Sequence, residues 1–76
     1  MATFQIRIVN HRFSASADHE CPERESAVRE AIKSALEIGV ELISGGAPFF
    51  AAEVRVEQHG RLLERHMVTT GTSPLQ

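Results

Sequence analysis

The sequence predicts an α+β fold: a four-stranded antiparallel sheet in ββαββ order with one long helix packed on one face. Three observations carry this. One central segment, Arg24 to Ser44, is apolar at three- and four-residue steps; apolar and polar residues alternate on either side of it; and turn residues divide each flank in two.

The opening strand rests on Phe4, Ile6 and Ile8, which alternate with Thr3, Gln5 and Arg7, the period of a strand with one buried face. Asn10-His11 reads as a tight turn, because Asn tolerates positive φ. Arg12 to Ser16 returns as a short second strand carrying Phe13. From Ser16 to Cys21 the chain is polar and acidic, and is expected to form a surface bend that leads into the helix.

In the helix, Val28, Ala31, Ile32, Ala35, Leu36, Gly39, Leu42 and Ile43 form the apolar face, and Ser26, Arg29, Glu30, Lys33, Glu37 and Glu41 fill the gaps. Pro22, Glu23 and Glu25 suit the first turn, where a missing N–H costs nothing and negative charge meets the positive end of the dipole. Gly45-Gly46 stops the helix and Pro48 prevents its resumption. At about 100° per residue Gly39 falls near the middle of the apolar face, so tight contact with the sheet is expected there, with a hinge or ligand notch as the alternative. Ile38 and Val40 lie on opposite flanks and widen the apolar arc to about half the circumference, which hints at a second partner surface.

After the helix, Phe49-Phe50 is the most concentrated apolar pair. Neighbouring side chains of an extended segment point to opposite faces, so one ring can enter the core while the other is left for a partner. Ala52, Val54 and Val56 alternate with Glu53, Arg55 and Glu57. His59-Gly60 supplies the next turn, and Arg61 to Val68 returns as the last strand. A two-residue loop sets Val56 opposite Leu63, Ala52 opposite Met67 and Arg55 opposite Glu64; a three-residue loop with a bulge would shift this by one. Residues 1–68 are thus read as one domain and 69–76 as a flexible C-terminal tail. The face away from the helix carries Gln5, Arg7, Glu53, Arg55 and Glu57, a mixed-charge surface expected to be solvated.

Composition narrows the function classes. At 76 residues the chain is near the size where a single core is only marginally sufficient and oligomerisation is a common supplement. A formal charge of −2 without any basic run argues against nucleic acid or anionic membrane as the natural partner. No apolar stretch reaches membrane-spanning length, and the basic and apolar regions of a signal peptide are lacking, so a cytoplasmic location is expected. The lone Cys21 agrees with a reducing compartment.

The sharpest chemical constellation is Asp18-His19-Glu20-Cys21, just before the helix. Four consecutive residues rarely converge on one ion, and no Cys-x-x-Cys or His-x-x-x-His completes a site. A Cys21 thiol near a helix N-terminus with His19 as base is the only candidate for nucleophilic catalysis, yet nothing supplies an oxyanion donor or a third orienting residue. Asp18, His19 and Cys21 are therefore carried as a reactive or ligand site ranked below a plain surface bend. His11 and His59 fall at turns and His66 in a strand, and none is assigned a role. Gly45-Gly46-Ala47-Pro48 follows a helix and has no Lys, which makes it a helix stop rather than a phosphate loop.

Taken in order, Phe4 in an opening strand, Asp18 and Glu20 in an acidic bend, Ala27, Glu30, Ala31 and Ala35 in an Ala-spaced helix, and the hairpin residues Glu53, Val54, Val56, Gly60 and Leu63 give a pattern that resembles a family of small, uncharacterised bacterial α/β proteins. The likeness runs from Phe4 to about Val68. It implies the ββαββ fold and no particular activity.

The functional expectation is a non-enzymatic, homo-oligomeric interaction module, a homodimer by preference, with an unknown protein partner and without cofactor or metal. Its candidate surface is Ile38, Val40, Phe49 and Phe50. The alternative is a small-ligand-binding protein with its pocket at a subunit interface, since so short a chain has little interior to spare.

Overall fold

The computed structural model describes residues 1–75 and has the expected architecture. Strand β1 spans Ala2–Val9, β2 Ser14–Cys21, helix α1 Arg24–Ser44, β3 Phe49–Gln58 and β4 Arg61–Gly71. All neighbouring strands are antiparallel, in the order β2-β1-β3-β4. The two hairpins therefore meet through β1 and β3, and β2 and β4 are the edges.

Phe4, Ile6 and Ile8 of β1 and Phe50, Ala52, Val54 and Val56 of β3 are buried on one face of the sheet. Ile6 stands opposite Val56 and Ile8 opposite Val54, so the two central strands contribute matched apolar rows. The helix meets them with its small residues. Ala27, Ala31, Ala35 and Gly39 are the buried residues of α1, a row at four-residue steps that lets the helix axis approach the sheet. Val28, Ile32, Ile38 and Ile43, the larger apolar side chains expected around Gly39, are only partly buried and seal the margins. Such a row drifts around the helix by about 40° per step.

Gly39 itself is in tight contact, as its position on the wheel predicts. A Cβ there would lie 2.5 Å from Thr70 Cγ2 and 2.9 Å from Phe50 Cδ2. At the end of α1, Gly46 N–H donates to Ile43 O (3.1 Å) and Ala47 N–H to Leu42 O (3.0 Å). This paired closure requires a left-handed residue, and Gly46, at φ 110°, supplies it.

Four local expectations are corrected. Ser16–Cys21 is not a bend: it is the greater part of β2, whose eight residues pair with β1 from Ser14 opposite Val9 to Cys21 opposite Ala2. Its Ser, Ala and Asp residues have little strand preference, so pairing with a strongly patterned neighbour makes it a strand. Asn10 turns the chain through its side chain rather than through positive φ: Oδ1 accepts from the Arg12 and Phe13 N–H groups at 2.8 and 3.1 Å.

In the second hairpin His59 (φ 52°) and Gly60 (φ 76°) form the two-residue turn. A bulge between Val56 and Glu57 then shifts the register by one, so that Val56 faces Glu64, Arg55 faces Arg65 and Ala52 faces Val68. Finally, β4 runs through Gly71, three residues into the segment expected to be a tail, because Thr69, Thr70 and Gly71 pair with Ala51, Phe50 and Phe49. Gln76 lies outside the described residues.

Candidate interaction surface

Strand alternation separates the two aromatic residues that open β3. Phe50 is buried among the core residues at 3% exposure, against Gly39, and this removes it from the candidate surface. Phe49 points to the opposite face. Its ring lies over Gly71, 3.3 Å from where a Cβ would be, and it stays 63% exposed. Of the helix pair, Val40 is exposed while Ile38 is half-buried on the opposite flank. Val40 continues a line begun by Ile32 and Leu36 at four-residue steps, with Arg29 and Lys33 beside it, over an open apolar depression. Leu36 and Leu42 are also exposed. Their apolar character was legible in the sequence, but their exposure was not: that of Leu36 follows from the Ala row having taken the sheet-facing position, and Leu42 stands at the helix end beside Pro48 and Phe49.

The Asp18-His19-Glu20-Cys21 run does not assemble. In β2, Asp18 pairs with Gln5 and projects from the face away from the helix, whereas His19 and Cys21 pair with Phe4 and Ala2 on the helix side. Cys21 is a buried member of the core and is a free thiol. Among the described residues no three His, Cys, Asp or Glu side chains come together as a metal site would require.

Two ionic groups appear that the sequence did not single out. On the open face Arg7, Arg55 and Arg65 stand directly opposite one another across β1, β3 and β4. Like charges so placed repel, and Glu53 offsets this. It accepts from Arg55 Nε and from Arg65 Nε and Nη2, the latter two at 3.1 and 3.2 Å. These hydrogen bonds, that from Arg55 first, hold the Glu53 carboxyl below its usual range, and the Arg55 guanidinium is raised in return. On the helix side Glu64 accepts a hydrogen bond from His66 (2.9 Å) and pairs with Arg24 at 3.7 Å, tying the start of α1 to β4. Only the observed register aligns these residues, which are scattered along the chain.

A shallow groove of about 120 Å3 lies between α1 and β2, lined by Ile6, Ile8, Ala15, Ala17, His19 and Ser34. It exists because the helix lies mainly over β3 and β4, leaving Ala15 and Ala17 exposed on the helix side of the sheet. The described residues include no helix long and apolar enough to cross a membrane. No known family model, curated protein or solved structure matches this chain.

Proposed function

We propose that this protein is a non-enzymatic interaction module that acts as a homo-oligomer, a dimer in its simplest closed form, within a reducing, cytoplasmic setting. The outward placement of Leu36, Val40, Leu42 and Phe49 carries the interaction reading, and the small size of the chain, which leaves a single core only marginally sufficient, carries the homo-oligomer reading. Leu36 and Val40 on the outer side of the helix, and Leu42 and Phe49 beside a second depression at its end, serve contact with another protein better than they serve water. Glu53 and Glu64, by contrast, are engaged in pairing within the sheet and between helix and sheet, and the thiol is enclosed.

The alternative, a small-ligand-binding protein with its pocket between subunits, draws support from the groove beside β2. At about 120 Å3 it is below the roughly 300 Å3 at which ligand pockets begin, so a second copy would have to complete it. Sedimentation of the native protein at tens of micromolar tests the main reading: a dimer is expected, and a monomer overturns it. A native mass measurement separates the two readings, since bound ligand adds mass beyond a whole number of chains.

A further inference from the structure

We infer that the dimer forms through the edge of β2, two copies of which pair antiparallel about a two-fold axis passing between their Ser16 residues. The inference rests on the homo-oligomer reading above and names the surface by which it is achieved.

The phase of the β1–β2 ladder identifies which groups are free. Asn10 N–H donates to Phe13 O, so Asn10 and Phe13 form a hydrogen-bonded pair, and bonded and non-bonded pairs alternate from there. Ile8 with Ala15, Ile6 with Ala17 and Phe4 with His19 are thereby the bonded pairs. The N–H and C=O groups of Ser14, Ser16, Asp18 and Glu20 point outward, away from β1. The β2 edge is charged only toward its helix end, at Asp18 and Glu20. It has no proline, no lysine and no bulge, and Ser14 to Ala17 is an uncharged run of small residues exposed to solvent. The β4 edge, by contrast, carries the bulged hairpin and the charges of Arg61 and Arg65.

Charge disfavours a register nearer the helix end, and strand length one nearer Ser14, since β2 spans only Ser14–Cys21. With Ser16 opposite Ser16 of the second copy, Asp18 faces the second copy's Ser14, and Glu20 faces its Arg12, an exposed residue in the loop that leads into β2. On the helix side Ala15 meets Ala17 and Phe13 meets His19. Sliding by one register step toward the helix end brings Asp18 of each copy diagonally beside the other, and a further step sets them face to face; both place like charges together.

The chain exposes 5297 Å2, against about 4600 Å2 for a folded monomer of this mass, an excess that goes with its elongated shape, 49 Å in its largest extent. Paired in this way, the two helices lie on the same side of one eight-stranded sheet, and Leu36 and Val40 of both copies stay uncovered for another protein.

The test uses the native chain and four variants. Because the Ser16 N–H points outward, Ser16→Pro leaves the β1–β2 ladder intact and removes both bonds at the two-fold axis. Sedimentation should show the native protein and the Leu36→Ser/Val40→Ser double variant as dimers, and Ser16→Pro as a monomer with unchanged circular dichroism. Under mild oxidation Ser16→Cys should cross-link between copies, the two Cα atoms being about 5.5 Å apart. Ser14→Cys should not, because the two copies of residue 14 would be about 13 Å apart. A native monomer overturns both the homo-oligomer reading and this one. A native dimer that does not cross-link at residue 16, or that folded Ser16→Pro leaves intact, overturns the β2 edge alone. Cross-linking at residue 14 overturns the register. The cross-linking arm still decides if Ser16→Pro does not fold.

Discussion

At Gly39 the distance between helix and sheet is set by the absence of one methyl group. Alanine there would gain about 1 kcal/mol of helix propensity, but its Cβ would meet Thr70 Cγ2 and Phe50 Cδ2 below any ordinary contact distance. Overpacking of this kind costs about 1–3 kcal/mol. Gly39→Ala is therefore expected to lower the thermal midpoint by several degrees and Gly39→Leu by more, with Thr70→Ser, which deletes the nearer carbon, restoring part of the loss in the Ala variant. A Gly39→Ala protein as stable as the native would mean that the helix rides farther from β3 and β4. A second residue-scale prediction concerns acid. Hydrogen bonds from Arg55 and then Arg65 lower the folded-state pKa of Glu53, so its contribution is fully present above the ordinary carboxylate pKa of about 4.3 and fades as pH falls through the lowered folded value. Glu53→Gln should lower stability at neutral pH, where it leaves Arg55 and Arg65 without their shared carboxylate. Denaturant curves of the two proteins should converge as the pH drops below about 4; a difference that does not change with pH would show that Glu53 acts through packing rather than charge.

Strand β2 is exposed along nearly all its length and buried only at its end, and two of its candidate site residues now carry opposite expectations. Asp18 is exposed on the open face and Cys21 is buried under the start of α1. Asp18→Ser should change stability by less than about 0.5 kcal/mol, whereas Cys21→Ser places a hydroxyl among apolar neighbours and should cost about 1–3 kcal/mol. Equal effects in chemical denaturation would contradict the alternation of the strand. The same element shows where sequence reading stops. Helix α1 was legible from its period, its acidic entry and its double-Gly exit, since all these signals are local. Strands β1 and β3 were legible because their apolar residues alternate. In β2 the outward residues are Ser14, Ser16, Asp18 and Glu20 and two of the four inward ones are Ala, so burial leaves little alternating signal, and only the pairing with β1 makes it a strand. The Leu63 bulge, the extension of β4 to Gly71 and the alignment of Arg7, Arg55 and Arg65 are likewise products of pairing. For the surface, the alternation of Phe49 and Phe50 allowed one ring to be assigned outward but not which one; the Ala row, which decides that Leu36 and Val40 face solvent, was visible as composition but not as the line of closest approach.

For the whole molecule the question is whether one copy holds itself together. Its radius of gyration is 13.6 Å, where a compact chain of this length has about 11 Å, and its largest extent is 49 Å. The helix gives the centre of the core only the methyl groups of three alanines and the bare Cα of Gly39, so most of the apolar area buried there belongs to the sheet. A 76-residue domain with so thin a second layer is near the lower limit of independent stability, and association through β2 would add a continuous ladder at the edge that the helix covers least. If folding and pairing are coupled, the unfolding equilibrium runs from one dimer to two chains, and each tenfold rise in concentration adds about 1.4 kcal/mol in favour of the dimer. Spread over the unfolding entropy of two chains, this raises the thermal midpoint by roughly 3–5 °C per tenfold. Melting the native protein over a hundredfold concentration range should show that rise, and Ser16→Pro should melt lower and at one temperature throughout. A native midpoint that stays constant over the range would refute the coupling and show that the single chain, with its alanine-faced helix, is sufficient for its own stability.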